Sequence, residues 1–173
     1  GRKMSAFVTF KNVKKVYKDV IDSDDKITLD DSSIAYVVGE LQNYCLMDAE
    51  RDVIADAFEV FIDHALKGGQ GQFFTPRNVI KMIIEIVDPQ NTDLIIDPAC
   101  GSGGFLVETL RYIWKTLDDK AIDYGWNELV LLTEKTDVAF NCIRGIDKDS
   151  FLAKVCKAYM AIIGDGKSGI FCE

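Results

Sequence analysis

The segment Asp97-Pro98-Ala99-Cys100-Gly101-Ser102-Gly103-Gly104-Phe105 places a carboxylate directly ahead of a glycine cluster. Glycines let a backbone approach a ligand closely, and the N–H groups that open a following helix favour negative charge. Two common nucleotide loops do not fit. The phosphate loop G-x-x-x-x-G-K-[ST] is absent, and the dinucleotide pattern G-x-G-x-x-G fails because Leu106 occupies its third glycine position. Asp97 can accept hydrogen bonds from an ammonium group or from the loop's own amides. Asp147, 50 residues further on, can take a pair of hydrogen bonds from ribose hydroxyls. A ligand with an amino-acid end beside a nucleoside end would use both acids. A lone glycine cluster is more often a turn and a strand-end acid is often a cap, so it is the two in this order that favour a binding site.

The elements that must position these residues are legible in the apolar spacing. Leu94-Ile95-Ile96 is a short apolar run of the kind found in strands covered on both faces, and it leads into the glycine loop. A helix should follow through Phe105, Leu106, Leu110, Ile113 and Trp114. Residues 118–139 read as a polar, helical or irregular excursion. Residues 143–146 form a second strand candidate ending at Asp147, and Leu152, Val155, Cys156, Tyr159 and Ile162 mark another helix. Gly164-Asp165-Gly166 turns the chain into a third strand over 169–172. Alternating strands and helices predict an α/β fold with a parallel sheet wrapped by helices.

Ahead of the sheet the pattern is helical. Ser32 or Ser33 can cap a helix whose face carries Ile34, Val37, Val38, Leu41 and Leu46. Asp48 can cap a second, with Val53, Ile54, Ala57, Phe58, Phe61, Ile62 and Leu66 as its stripe, stopped by Gly68-Gly69. Thr75-Pro76 reads as an N-cap followed by proline at the first helical position. Val79, Met82, Ile83, Ile86 and Val87 are then the buried side of a helix that ends at Asp88-Pro89. Residues 1–67 are expected to form a helical region and 68–173 the sheet-containing domain.

Composition limits the alternatives. With 48% hydrophobic and 28% charged residues the chain is that of a globular domain, not a disordered or fibrous one. A net charge of −8 disfavours the whole surface as a grip for phosphate backbone. Arg2, Lys3, Lys11, Lys14, Lys15 and Lys18 give residues 1–18 a local positive charge, which reads first as a solvated terminus. Cys45, Cys100, Cys142, Cys156 and Cys172 form no C-x-x-C pair, which argues against a zinc site or disulfide framework and for a reducing, cytoplasmic setting. No apolar stretch or signal-peptide pattern indicates a membrane, and His64, the single histidine, has no second imidazole with which to build a metal site.

Three segments together resemble a known family. Gly71-Gln72-Phe73-Phe74-Thr75-Pro76-Arg77, the Asp97–Phe105 loop and Gly145-Ile146-Asp147 are similar to motifs of the methylase (modification) subunit of type I restriction-modification systems. That subunit is an S-adenosylmethionine-dependent DNA adenine-N6 methyltransferase. The resemblance spans roughly residues 33–173, and the helices ahead of Gly68 resemble the end of the subunit's N-terminal helical domain. It implies a Rossmann-like methyltransferase sheet, here incomplete, with S-adenosyl-L-methionine as cofactor. By the same resemblance Gln72, Phe73, Phe74, Thr75, Pro76 and Arg77 clasp the methionine part, Asp97, Gly101, Ser102, Gly103 and Gly104 cradle the amino-acid end, and Asp147 holds the ribose. Where Asp147 stands the family often has Glu, which has a longer reach. The resemblance implies DNA, a specificity subunit and a restriction subunit as partners, with no membrane.

One part of that family's chemistry is missing. Methylation at adenine N6 uses an Asn-Pro-Pro-aromatic loop that orients the amino group of a flipped base. The prolines here are Pro76, Pro89 and Pro98, none adjacent to another. The expectation is a truncated N-terminal portion that carries the cofactor half of the site and no catalytic residue. A non-catalytic cofactor-binding or subunit-docking module, and a methyltransferase for protein or small molecules, are the alternatives.

Overall fold

The computed structural model describes residues 28–43, 57, 58, 60, 62, 75–164 and 169–173. The chain divides into two units, Gly1–Glu50 and Arg51–Glu173. Expectations for Leu46, the Asp48 cap, His64, Gly68-Gly69 and the Gly164-Asp165-Gly166 turn beyond Gly164 fall outside the described residues.

In the first unit, helix α1 (Asp31–Leu41) is capped two positions ahead of Ser32 and three ahead of Ser33. Asp30 is the N-cap, and its Oδ1 accepts the Ser32 and Ser33 amides at 3.0 and 2.9 Å. The carboxylate wins over the serine hydroxyls because a charged acceptor satisfies two orphan N–H groups at once. These serine contacts, the Ser32 hydroxyl foremost, hold the Asp30 carboxyl well below the usual carboxylate range.

Among the described residues, the second unit is built on three parallel strands in the order β1-β2-β3: β1 (Ile95–Asp97), β2 (Ile143–Asp147) and β3 (Ile170–Cys172). Asp97 pairs with Gly145, and Asp147 pairs with Cys172. Among the described residues, the strands are accompanied by α2 (Arg77–Val87), α3 (Gly104–Tyr124), α4 (Glu128–Asp137) and α5 (Ser150–Ile163). The alternation of strand and helix therefore holds, with α3, α4 and a π-helical turn (Val138–Cys142) crossing from β1 to β2. The 118–139 excursion is resolved into the last turns of α3, a cap at Gly125 with φ +64°, and α4. The core joins α3, α5 and β2 through Leu106, Val107, Leu110, Ile113, Leu117, Ile143, Cys156, Tyr159 and Met160.

Three local expectations are corrected. Pro76 stands at the N-cap of α2, not at its first helical position; with φ −56° and ψ 138° it is extended, and its carbonyl accepts the Val79 and Ile80 amides. The side of α2 that is buried is Ile80 and Ile84, whereas Met82, Ile83, Ile86 and Val87 are exposed. The apolar arc of α2 lies opposite Arg77, Asn78, Lys81 and Glu85 and centres on Ile83, so periodicity points to that centre, whereas the buried row lies at the edge of the arc beside Arg77 and Lys81. A polar anchor selects it: Arg77 and Lys81, one turn apart, both reach Glu108 of α3, and this turns the adjoining Ile80 and Ile84 row inward. Finally, β1 is not covered on both faces, for Leu94 and Ile96 are exposed while Ile95 packs on the core.

Candidate cofactor site

The two acids singled out by the sequence meet one loop. After β1 the chain curls toward β2, where Cys100 donates its amide to the Ile146 carbonyl at 2.9 Å and so prolongs the strand pairing by one bond. Gly101 then donates to Asp147 Oδ2 at 2.8 Å, and Asp149 donates to Asp147 Oδ1 at 2.8 Å. Asp147 is buried, at 9% exposure, with an amide on each oxygen. It thus ties the loop after β1 to the loop after β2 at the carboxyl ends of adjacent parallel strands. Ligands of open α/β sheets bind in this place. Asp97 is half-buried and accepts the Ala99 amide at 3.1 Å, fixing the first turn of the loop.

The glycines divide by what faces them. Gly101, at φ +55°, has open space where a Cβ would stand. Gly103, at φ +92°, is the N-cap of α3, and a Cβ there would lie 2.6 Å from Cys156 Sγ. At Gly104 a Cβ would come 3.2 Å from Ile80 Cδ1. Gly103 is therefore required by its backbone and by α5, Gly104 packs closely on Ile80 of α2, and Gly101 leaves room for a ligand to approach the backbone. Ser102 is half-buried between them.

Of the Gln72–Arg77 segment, Gln72, Phe73 and Phe74 lie outside the described residues. Thr75 and Pro76 are exposed. The Arg77 side chain goes to Glu108 Oε1 at 3.2 Å and donates to the Tyr159 hydroxyl at 2.6 Å. Glu108, which the sequence reading did not single out, is buried at 6% exposure and also holds Arg111 at 3.1 Å and Lys81 at 3.9 Å. This cluster fixes the start of α2 against α3 and α5. The available signal was an acid inside the apolar run Phe105–Leu110 with a basic residue three positions on. An apolar groove of about 330 Å³ also went unforeseen; it lies along β1 and is lined in part by Ile83, Val87, Ile96, Pro98 and Phe105. Among the described residues no cluster of His, Cys, Asp and Glu could hold a metal ion, and no helix is long and apolar enough to cross a membrane.

Residues 49–164 match the N-6 DNA methylase family, which is more than half of the chain. The chain belongs to that family. Among its relatives is the type I restriction enzyme EcoKI methylase subunit of Escherichia coli (strain K12), 40% identical over 72 residues, a match covering 40% of this chain and 14% of the relative. The type I restriction enzyme MjaVIII methylase subunit of Methanocaldococcus jannaschii is 37% identical over 107 residues, covering 61% of this chain and 18% of the relative. Among solved structures, a modification subunit of a putative type I restriction enzyme from Vibrio vulnificus YJ016 superposes with a TM-score of 0.56 at 20% identity. It covers 76% of this chain and 25% of that one, and the likeness is one of fold. The chain thus spans less than a fifth of the length of these curated relatives.

Proposed function

We propose that this chain forms the S-adenosylmethionine-binding part of a DNA adenine-N6 methyltransferase of a type I restriction-modification system, acting in the cytoplasm. The observation that carries the reading is the Gly101–Asp147 hydrogen bond, which joins the glycine loop to the second-strand acid at the carboxyl ends of β1 and β2. The three parallel strands are then the opening strands of a Rossmann-like sheet, and residues 1–67 and 68–173 are its helical front end and the start of its methyltransferase domain. The residues fit the cofactor on one direct test: Gly101 has a positive φ and empty space in front of it, the condition for close backbone approach.

S-adenosylmethionine supplies an electrophilic methyl group on a sulfonium. The chain's own residues bind and orient it. Asp97 would hold the ammonium, the Ser102 and Gly104 amides and the Ser102 hydroxyl would be the donors for the carboxylate end, since the Gly101 and Gly103 amides go to Asp147 and Cys100, and Asp147 would take the ribose. Asp147 retains the capacity, since each carboxylate oxygen accepts more than one hydrogen bond. Gln72, Phe73, Phe74, Thr75 and Pro76 would hold the methionine part, and Arg77 anchors the start of α2 through Glu108. DNA, a specificity subunit and a restriction subunit are the partners of the assembly.

Isothermal titration of the chain with S-adenosylmethionine tests the reading, with tritiated methyl transfer to unmethylated genomic DNA as its complement. Cofactor binding with no transfer by these 173 residues is the expected result, because no proline-flanked Asn is present to orient the amino nucleophile. Absence of binding overturns the cofactor assignment. Transfer above a no-enzyme control overturns the assignment of catalysis to a loop this chain lacks.

A further inference from the structure

Two thiols meet beneath the glycine loop. Cys100 opens the turn that Gly103 closes, donating its amide to the Cys100 carbonyl at 2.8 Å. Cys156 lies in the middle of α5, fully buried. A Cβ on Gly103 would stand 2.6 Å from Cys156 Sγ and 3.6 Å from its Cα, so α5 approaches the loop backbone at this cysteine. The Cys100 and Cys156 side chains are hydrogen-bonded to one another. That contact draws the Cys100 thiol below its ordinary pKa, against burial and the carboxylates of Asp97 and Asp147, which push it up. Cys142 differs, since burial raises its thiol. Cys172 is exposed, at the end of β3.

We propose that Cys100 and Cys156 form a reversible disulfide when the protein meets a peroxide, and that the bond displaces the glycine loop. Cys100 thiolate attacks one peroxide oxygen; an S–O bond forms, the O–O bond breaks, and the departing oxygen leaves as water after protonation. Cys156 sulfur then attacks the Cys100 sulfenic acid, the S–S bond forms, and the S–O oxygen leaves as water with the Cys156 proton. The pair loses two electrons and the peroxide gains them. Hydrogen-bonded sulfurs stand well beyond the S–S bond length of about 2.05 Å, so closing the bond pulls Cys100 toward α5. The Cys100–Ile146 and Gly101–Asp147 hydrogen bonds, which set the loop's position, lengthen or break. A transient bridge of this kind suits a compartment that otherwise keeps thiols reduced.

The test treats the whole chain with hydrogen peroxide, blocks remaining thiols with iodoacetamide, and maps peptides by mass spectrometry without reductant. Expected is a linked Cys100–Cys156 peptide pair about 2 Da lighter than the sum of the two thiol peptides and released by dithiothreitol. The Gly101 amide should exchange with solvent at least about tenfold faster in the oxidised form. Cys100→Ser and Cys156→Ala should each abolish the link, and either suffices should the other misfold. No linked pair, a pair joining other cysteines, or unchanged Gly101 exchange overturns the proposal. Resting on the cofactor reading above, the oxidised chain should also bind S-adenosylmethionine at least about tenfold more weakly. A reduced chain that binds no cofactor refutes that reading alone, because the peptide map and the exchange rate still decide the disulfide.

Discussion

Replacing Asp147 by alanine should destabilise the fold before it affects any ligand. The buried carboxylate accepts two backbone amides, from Gly101 and Asp149, each at 2.8 Å. A hydrogen bond to a charged acceptor contributes about 1.5–3 kcal/mol, and a buried donor left without a partner costs a similar amount. Because the loop can relax to let water reach one of the two amides, the two contributions do not add fully. We expect Asp147→Ala to cost about 3 kcal/mol, a roughly 100-fold fall in the ratio of folded to unfolded chain. Asp147→Asn keeps one acceptor oxygen, turns an NH₂ group toward the other amide, and should cost about 2 kcal/mol. Urea denaturation followed by tryptophan fluorescence measures both, since Trp114 packs against the core. Under conditions where the alanine variant remains folded, its affinity for S-adenosylmethionine should fall by a further 1 to 3 kcal/mol, about 5- to 150-fold. An alanine variant whose unfolding free energy lies within about 0.5 kcal/mol of the parent would refute the claim that this carboxylate ties the two loops together.

Glu108→Ala leaves Arg77, Arg111 and Lys81 without their shared carboxylate; with the cations partly exposed, the cost should be about 2–3 kcal/mol, read as a lowered urea midpoint, and Glu108→Gln matching the parent would contradict it. Gly145→Val sets a Cβ 2.6 Å from Leu106 Cδ1 and 2.9 Å from Ile170 Cδ1, an overpacking cost of about 1–3 kcal/mol that should lower the melting temperature by about 2–4 °C per kcal/mol. Tyr112 donates its hydroxyl to Asp88 Oδ1 at 2.7 Å, which raises the tyrosine pKa, so the contact contributes stability below the ordinary tyrosine range and loses it as pH climbs through the raised value. Absorbance at tyrosinate wavelengths should show one late-titrating group in the parent that moves earlier in Asp88→Ala, and identical titrations would count against it.

What could be read from the sequence was the part governed by local pattern. The strand ending at Asp147, the helix of Leu152 to Ile162 and the glycine loop all depend on residues close in the chain, and they lie where their spacing puts them. The buried face of α2 could not be read this way. Its apolar arc centres on Ile83, and the row at the edge of that arc is chosen for burial by Glu108, some 20 residues beyond the end of α2. The cap of α1 shows the same limit at short range. Asp30, Ser32 and Ser33 are all good cap residues, and only the geometry reveals that one carboxylate serves both following amides. Nor did composition disclose the bare face of β1, because an apolar run reads alike whether both of its faces are covered or one.

The glycine loop illustrates why a motif and its physical reasons must be separated. All three glycines read alike in the sequence, as residues spared a side chain for a ligand's sake. In the fold Gly103 is spared one because α5 carries Cys156 directly beneath it, and Gly104 because Ile80 packs there. Only Gly101 combines a left-handed backbone with open space, and it alone of the three donates to Asp147. A side chain at Gly103 would therefore act through the packing of α5, so loss of ligand binding in such a variant is no measure of ligand contact. At Gly101 the neighbouring packing is untouched. Among the glycines, open approach to a ligand thus narrows to Gly101, whose position is fixed by the acid of the next strand, while Gly103 and Gly104 hold two helices close enough to keep it there.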